Sequence, residues 1–328
     1  MVMFWVSLLA ISILLYVLLD GFDLGIGMLV ALPNSEARRA AMLNAVLPVW
    51  DGNETWLVVT GVILWGAFPN AYATLFSAFY LPLLVMLAGL ILRGVAFEFR
   101  HRAEQTRWIW DVSFIGGSFA ATFIQGLTVG ALVEGLPITN GEYTGGDFGW
   151  FSPFAVLCGL GLCLGYALLG ACWLVKKCDG DIRATAYRLI PYLSVGLLVF
   201  LIVVFFYALA ENLQVMGRWL ERPYLFVFPA IGALASAVLA VSVRYRRDDL
   251  PFTMVVLIFA SAFGALAISF WPYMIPFVLT IDEAAAPQSS LGFMLWEGVI
   301  VFPLMLLYTI ISYTVFRGKV PSTPQIHN

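Results

Sequence analysis

The sequence predicts an all-α polytopic membrane protein with nine transmembrane helices. Hydrophobic residues make up 62% of the 328 residues and charged residues 11%, whereas soluble domains carry about 25% charge. Long apolar runs recur along the chain, and each is close to the roughly 20 residues that a helix needs to cross a bilayer. Basic residues alternate between successive connections. These observations exclude a soluble globular protein, and we expect no nucleic acid among the partners.

The nine apolar segments form a single integral-membrane domain that covers residues 1–328. The first segment lacks a basic leader and a small-residue cleavage site, so we interpret it as a retained helix, not a signal peptide. The eighth ends in WPYMIP, whose prolines stop or kink a helix. The predicted spans are about 4–31, 52–69, 73–97, 112–134, 152–175, 187–210, 224–244, 251–273 and 292–316.

The basic residues predict the topology. The connections 1–2, 3–4, 5–6 and 7–8 and the C-terminal tail hold fourteen of them: Arg38, Arg39, Arg100, Arg102, Arg107, Lys176, Lys177, Arg183, Arg188, Arg244, Arg246, Arg247, Arg317 and Lys319. The alternate connections hold only Arg218 and Arg222. Because short cytoplasmic loops carry an excess of Lys and Arg, the N-terminus is predicted to be periplasmic and the C-terminus cytoplasmic.

Five charged groups are predicted to meet near the cytoplasmic boundary. Asp20 and Asp23 lie in the inner half of helix 1, and Asp51 and Glu54 lie at the start of helix 2. Arg93 lies about one turn from the inner end of helix 3. Each acidic pair is spaced i,i+3 and therefore shares a helix face. Since burying a charge in lipid is costly, these groups are predicted to be paired or set in a polar cavity.

Three interpretations of this cluster stay open at the level of sequence. The first is a structural ion-pair network that fixes helices 1 to 3. The second is a proton-entry site facing the cytoplasm, and the third is a polar site for a quinone head group or a lipid. Gly21, Gly25 and Gly27 in the same stretch allow neighbouring backbones to approach closely.

The tryptophans of helix 2 are also candidates. Trp50 and Trp65 lie near its two ends, which is typical of interfacial belts. Trp56 lies deeper, and we expect it to be the functional one.

Histidine, the commonest side-chain ligand of haem iron, is scarce in this sequence. The two histidines are His101, in a basic connection, and His327, in the tail, and ten methionines are scattered along the chain. Membrane haems usually need His, Cys or Met axial ligands, so we expect no haem iron and no metal bound by this chain. The cysteines show no CxxC pattern and are interpreted as small apolar helix residues: Cys158, Cys163, Cys172 and Cys178.

The stretches LLDGFDLGIGML, VWDGNETWLV and LILRGVAFEFR resemble subunit II of the cytochrome bd quinol oxidases. Two motifs and the helix-3 arginine carry the resemblance, which extends over the whole chain and is strongest in residues 16–110. Val49 stands where the enterobacterial bd-I type has histidine, so the motif is more similar to the cyanide-insensitive branch.

The resemblance implies the haem-free subunit II of a ubiquinol oxidase that reduces oxygen to water in the respiratory chain of a bacterial inner membrane. It implies two four-helix bundles plus one peripheral helix. The b-type and d-type haems would belong to subunit I, the expected partner. Single-helix small subunits occur in the family, and subunit II can hold a structural quinone.

The resemblance also implies roles for individual residues. Asp23 and Asp51 would belong to a proton route or polar cluster, Arg93 would be their counter-charge, and Trp56 would line an oxygen path. Asp20 and Trp50 match the same motifs.

Two alternative functions remain open for the whole chain. These are a proton-coupled secondary transporter and a purely structural membrane anchor. Against a transporter, the charges crowd one face instead of the midplane.

Overall fold

The chain folds mainly into α-helices in a computed structural model that describes residues 1–33, 35–100, 102–139, 142–211 and 213–320. Eight helices of the described residues are long and apolar enough to cross a membrane, or nine if a bent helix pair counts as one span. The predicted all-helical membrane fold is therefore confirmed. His101 and His327 lie outside the described residues. The helices are α1 (Val2–Leu29), α2 (Glu36–Asn44), α3 (Trp50–Ala67), α4 (Pro69–Ala78), α5 (Tyr80–Arg100), α6 (Arg107–Glu134), α7 (Pro153–Lys177), α8 (Gly180–Ala210), α9 (Gln214–Glu221), α10 (Val227–Arg244), α11 (Leu250–Phe270), α12 (Ile281–Ala284) and α13 (Gln288–Val315).

The third predicted span needs a correction, because it was expected to begin at residue 73. Residues 69–78 form the separate helix α4, which bends 120° away from α3, and the spanning helix α5 begins at Tyr80. Pro69 and Pro82 each lie in the first turn of a helix, where the missing N–H is tolerated. Within one continuous helix the same prolines would remove backbone hydrogen bonds.

The longer connections contain secondary structure that hydropathy did not predict. The basic stretch after α1 contains the helix α2. The connection after α6 forms an antiparallel pair, β1 (Ile138–Thr139) with β2 (Glu142–Tyr143). The connection after α11 forms a second pair, β3 (Tyr273–Ile275) with β4 (Leu279–Thr280). These elements are too short for periodicity to reveal them.

Helix α1 lies at the centre of the packing and contacts α3, α6 and α7. Its approach to α7 is backbone to backbone, because a Cβ on Gly25 would overlap the carbonyl of Tyr166 and lie 3.2 Å from the Gly170 nitrogen. A Cβ on Gly21 would lie 2.8 Å from the Tyr166 ring. The predicted close approach of backbones is therefore confirmed at Gly25, whereas Gly21 and Gly27 lie against side chains. Elsewhere α5 packs on α6, α7 on α8, α10 on α11, and α13 along α3.

Ion pairs join the basic connections and the tail on one side of the molecule, which we call the basic face. Arg38 contacts Asp181 at 2.5 Å, which joins α2 to α8. Lys319 of the tail contacts Asp179 at 2.7 Å and Asp248 at 3.1 Å. Further pairs are Arg39–Asp111, Arg100–Asp111, Arg100–Glu36 and Arg183–Asp248. The basic connections thus share one side of the bundle, and its cytoplasmic orientation stays a prediction.

Asp248 of the basic face provides a test of pH dependence. It accepts hydrogen bonds from Arg183 at 2.6 Å, Tyr187 at 2.8 Å and Lys319 at 3.1 Å. Partial burial by itself raises the pKa of Asp248, but these donors outweigh it and lower the pKa below its ordinary value. The resulting stability is present above the unfolded-state pKa of about 3.9 and is lost as the pH falls through the folded-state pKa.

We expect Asp248→Asn to destabilise the protein by about 1 kcal/mol, the scale of a partly exposed ion pair. The loss in thermal midpoint should be equal at pH 8 and pH 6 and shrink below about pH 4. Differential scanning fluorimetry in detergent measures it, with Asp249→Asn on the neighbouring exposed acid as the control. An undiminished effect at low pH would show that the carboxylate charge is not the stabilising feature.

Candidate functional site

Arg93 is a fully buried guanidinium that joins acids from two other helices. Its Nη1 donates to Asp20 Oδ1 at 2.7 Å, and its Nη2 donates to Glu54 Oε2 at 2.6 Å. The side chain of Asp20 is 0% exposed and that of Glu54 is 26% exposed. This network connects α1, α3 and α5, and one of its carboxylates reaches the surface.

Asp23 takes part in a second chain of hydrogen bonds. Asn53 Nδ2 donates to Asp23 Oδ2 at 2.7 Å, and the Tyr313 hydroxyl donates to Asn53 Oδ1 at 2.9 Å. Asp23 and Asn53 are both 1% exposed. Sequence reasoning missed Asn53 and Tyr313. Asn53 lies within the WDGNETW motif, which could have indicated it, but Tyr313 is 260 residues away and no pattern connects the two.

The two chains place three carboxylates near one guanidinium. If Asp20, Asp23 and Glu54 were all ionised, Arg93 would leave a net charge of about −2 in a largely enclosed site, which is unfavourable in a low-dielectric interior. Retention of a proton by one acid reduces this excess. Within these two chains of hydrogen bonds, Asp20 Oδ2, Asp23 Oδ1 and Arg93 Nε are buried atoms without a partner among the described residues. Such atoms are favourable sites for ordered water, which can carry protons between the acids.

The expectation that Asp51 joins the other four charged groups needs a correction. It is exposed in the first turn of α3, and its side chain has no hydrogen bond or ion pair to the part of the chain that the structure describes. Asn53 and Trp56, three residues apart, occupy the buried side of α3. The helix rotation that buries these two turns Asp51 outward, where it interacts favourably with the helix dipole.

The tryptophans of α3 have three different environments. Trp56 is 0% exposed and packs edge-on against Phe302 at 5.7 Å, and its Nε1 has no partner within the described residues. Trp50 is half-buried and stacks on Phe97 at 4.9 Å. Trp65 is 66% exposed, as expected for an interfacial residue.

Helix α1 also has polar side chains farther from the basic face, at Tyr16 and Ser12. Gln125 Nε2 donates to the Tyr16 hydroxyl at 2.7 Å, and the Tyr166 hydroxyl donates to Gln125 Oε1 at 3.0 Å. One turn further, Thr60 Oγ1 donates to Ser12 Oγ at 3.0 Å. These neutral groups were not predicted, because no charge distinguishes them from other helix residues.

A cavity of about 410 Å³ opens beside the network on the basic face. Val49, Trp173, Lys177 and Tyr313 are among the residues that line it. Lys177 donates to the backbone carbonyls of Phe316 and Gly318, which holds the tail at the cavity edge. Because Tyr313 also donates to Asn53, two hydrogen bonds separate the cavity from Asp23.

The described residues offer little to a metal or haem. They contain no group of three or more His, Cys, Asp or Glu able to hold a metal ion. Histidine does not occur among them, and their cysteines are free thiols. The described part of the chain therefore has no donor for histidine axial ligation of haem.

The sequence matches a family model described as cytochrome bd terminal oxidase subunit II over residues 1–316. It is 30% identical to cytochrome bd-I ubiquinol oxidase subunit 2 of Escherichia coli K12, with 96% of this chain and 94% of that protein covered. It is 29% identical to cytochrome bd ubiquinol oxidase subunit 2 of Bacillus subtilis 168, with 96% of each covered.

A solved structure of bd oxidase from Geobacillus thermodenitrificans contains a chain of similar fold. The TM-score is 0.79 at 18% sequence identity, and the match covers 96% of both chains. At this identity the likeness establishes the arrangement of the helices.

Proposed function

The chain belongs to the cytochrome bd terminal oxidase subunit II family, and we propose that it is the haem-free subunit that supports assembly and gives protons and oxygen access to the reaction site. It is a subunit of a quinol oxidase complex in a bacterial inner membrane, and subunit I is its partner. The haems of subunit I would oxidise quinol and reduce oxygen to water. That reduction consumes protons, which must cross part of the membrane to reach it.

The observation that carries the proton role is the buried group of three carboxylates around Arg93. Full burial of Asp20 and Asp23 beside unpaired polar atoms supports a store for protons and water. Tyr313 and Asn53 provide a short connection from the cavity on the basic face. We place proton entry at this cavity or at exposed Asp51, and exit at the partly exposed Glu54.

Asp23→Asn tests the proton role. Asparagine keeps an acceptor for Asn53 but cannot ionise, so we expect the complex to assemble while quinol-dependent oxygen consumption falls by about 10²–10⁴-fold, the range of one lost acid–base step. Oxygen-electrode turnover is compared with haem absorbance of the same preparation. The control is Glu98→Gln, because Glu98 is an exposed acid whose ion pair within the described residues is with exposed Arg102.

The possible results of this test are distinct. Normal turnover of Asp23→Asn would exclude the proton role. Loss of the haem-bearing complex in Asp23→Asn, with Glu98→Gln intact, would show that the cluster is structural.

Trp56 supports the oxygen role. Its indole is fully buried against Phe302 between α3 and α13, an apolar environment in which a neutral gas is soluble. We expect Trp56→Leu to change the KM for oxygen while the KM for quinol stays constant. Stopped-flow and oxygen-electrode kinetics measure both, and unchanged oxygen kinetics would exclude this path.

A structural quinone and single-helix small subunits are further parts of the proposal. The cavity on the basic face lies in the size range of small-molecule sites, about 300–1,000 Å³. Mass spectrometry of the purified complex and its organic extract tests for both. The alternative of a proton-coupled transporter is disfavoured, because the family match covers nearly the whole chain.

A further inference from the structure

Four arginines of the basic face have no acid partner. They are exposed near the start of α8, at the end of α10 and in the connection that follows it: Arg188, Arg244, Arg246 and Arg247. Their side chains make no hydrogen bond or ion pair to the described part of the chain, although the Arg246 guanidinium lies 5.7 Å from the centre of the Tyr187 ring. We call these four residues the arginine patch.

Membrane topology does not explain why the arginine patch lacks acid partners. The positive-inside rule concerns how many basic residues lie on a side, not whether acids neutralise them. On the same face, seven other basic residues do pair with acids: Arg38, Arg39, Arg100, Arg102, Arg107, Arg183 and Lys319. The patch is therefore a local excess of positive charge.

The nearest acids do not remove this excess. Asp248 already pairs with Arg183 and Lys319. Asp249, at the start of α11, is exposed and has no ion pair within the described residues. Four guanidinium groups and one free carboxylate leave a net charge of about +3 at neutral pH.

Contacts around Tyr187 bring the members of the patch to one place. Its hydroxyl donates to Asp248 at 2.8 Å, and its ring lies under Arg246. The connection after α10 therefore lies against the first turns of α8, where Arg188 is the residue next to Tyr187. Arg247 lies between Arg246 and Asp248 in the chain.

The backbone at Arg246 is in a conformation that favours glycine. Its φ is 51°, in the left-handed region. The Arg246 N–H donates to the Val243 carbonyl at 3.2 Å and the Arg247 N–H to the Ser242 carbonyl at 3.0 Å, a helix ending in which glycine usually takes the left-handed position. The arginine thus adds a guanidinium to the patch at the expense of backbone stability.

Apolar stripes extend from the patch along two helices toward the opposite side of the membrane. The exposed residues of α8 follow Arg188 at helical spacing: Tyr192, Val195, Val199, Ile202 and Phe206. Those of α10 lead away from its last turn in the same way: Tyr245, Val241, Val238, Leu234 and Ile231. Each stripe begins with a tyrosine beside the arginines, as is typical of the head-group region, and continues with side chains suited to acyl chains.

Other occupants fit only part of this surface. In a two-fold contact between copies of this chain, the arginines of one copy would meet those of the other, which is unfavourable. A soluble polyanion would contact the arginines but leave the apolar stripes uncovered. A molecule with an anionic head and long apolar chains covers both.

We propose that an anionic phospholipid binds at the basic ends of α8 and α10, with its phosphate on the arginine patch and its acyl chains along the two stripes. The forked guanidinium group matches phosphate oxygens, and the patch contains arginine without lysine. Basic pockets at the ends of membrane helices bind such head groups. The inference concerns the lipid boundary of this chain and does not depend on the proposed function.

Photolabelling of the purified complex tests the site. The delipidated complex is mixed with phosphatidylglycerol that carries a photoreactive acyl chain, and phosphatidylcholine with the same chain is the control for head-group charge. We expect phosphatidylglycerol to label residues 192–206 and 231–245 more strongly, and excess inorganic phosphate to leave this labelling unchanged. Equal labelling by both lipids would overturn the proposal, and labelling abolished by phosphate would indicate a site for a free anion instead.

A charge variant tests the arginines. An arginine near an anionic head group contributes about fivefold in affinity, so Arg188→Gln with Arg247→Gln should weaken phosphatidylglycerol binding by about 25-fold. The matched control is Arg102→Gln with Arg107→Gln, which removes two exposed cations that pair with acids elsewhere on the basic face. We expect the control to bind like the parent. An equal loss in both variants, or in neither, would overturn the assignment of the patch.

Arg246→Gly separates lipid binding from folding. Glycine adopts the left-handed conformation readily, so the thermal midpoint in detergent should stay constant or rise. Loss of one guanidinium should still lower the affinity for phosphatidylglycerol about fivefold. A lower midpoint with unchanged lipid affinity would show that Arg246 serves its contact with Tyr187 and not a lipid.

Discussion

Replacing Arg93 with methionine is expected to prevent accumulation of the folded protein. Arg93→Met keeps much of the side-chain volume but removes both donors to Asp20 and Glu54. Breaking a buried pair by removing one partner costs about 3–5 kcal/mol, because the remaining charge has no compensation. Total stabilities are about 5–15 kcal/mol, so this loss is large. The yield of monodisperse protein and its thermal midpoint in detergent measure the effect.

Two further variants separate charge from packing at this site. Arg93→Lys keeps the positive charge but cannot donate to both acids in the same fork geometry, so we expect an intermediate loss. Adding Asp20→Asn to Arg93→Met removes one uncompensated acid and should recover part of the stability. Equal stability of Arg93→Met and the parent would contradict an ionised pair at this position.

A methyl group at Gly25 is expected to separate α1 from α7. The Cβ of Gly25→Ala would overlap the Tyr166 carbonyl and lie 3.2 Å from the Gly170 nitrogen. These are backbone atoms, which cannot rotate away as a side chain does. Overpacking in a dense interior costs about 1–3 kcal/mol and sometimes more, and the movement of α1 would also displace Asp20 and Asp23. We expect a lower thermal midpoint together with lower turnover.

Gly61→Ala is the matched control. It is also a glycine within a membrane helix, but apart from its own helix backbone and chain neighbours no atom of the described residues lies within 4 Å of the position that a Cβ would take. Alanine is favoured over glycine in a helix by about 0.5–1 kcal/mol, so Gly61→Ala should be neutral or stabilising. If both variants had the same midpoint, the close approach of α1 and α7 would not be the reason for glycine at position 25.

The helices and their grouping by face could be predicted from local features. A span is an apolar run of sufficient length, so hydropathy located most of them within a few residues. The alternation of basic residues predicted which connections share a side, and the ion pairs of Arg38 and Lys319 show them together. The bend between α3 and α4 was missed, because the apolar run continues across Pro69 while the chain direction changes.

The free-energy cost of burying an unpaired charge predicted the centre of the site, since Asp20 and Arg93 have to be paired when they are buried. The same reasoning did not exclude Asp51, because charge and spacing do not establish which side of α3 packs against α1. Asn53 and Tyr313 became visible only in the folded chain, where residues 260 positions apart form a hydrogen bond. Which apolar or neutral side chains meet depends on how helices rotate and cross, and that depends on packing among distant segments that no local pattern records.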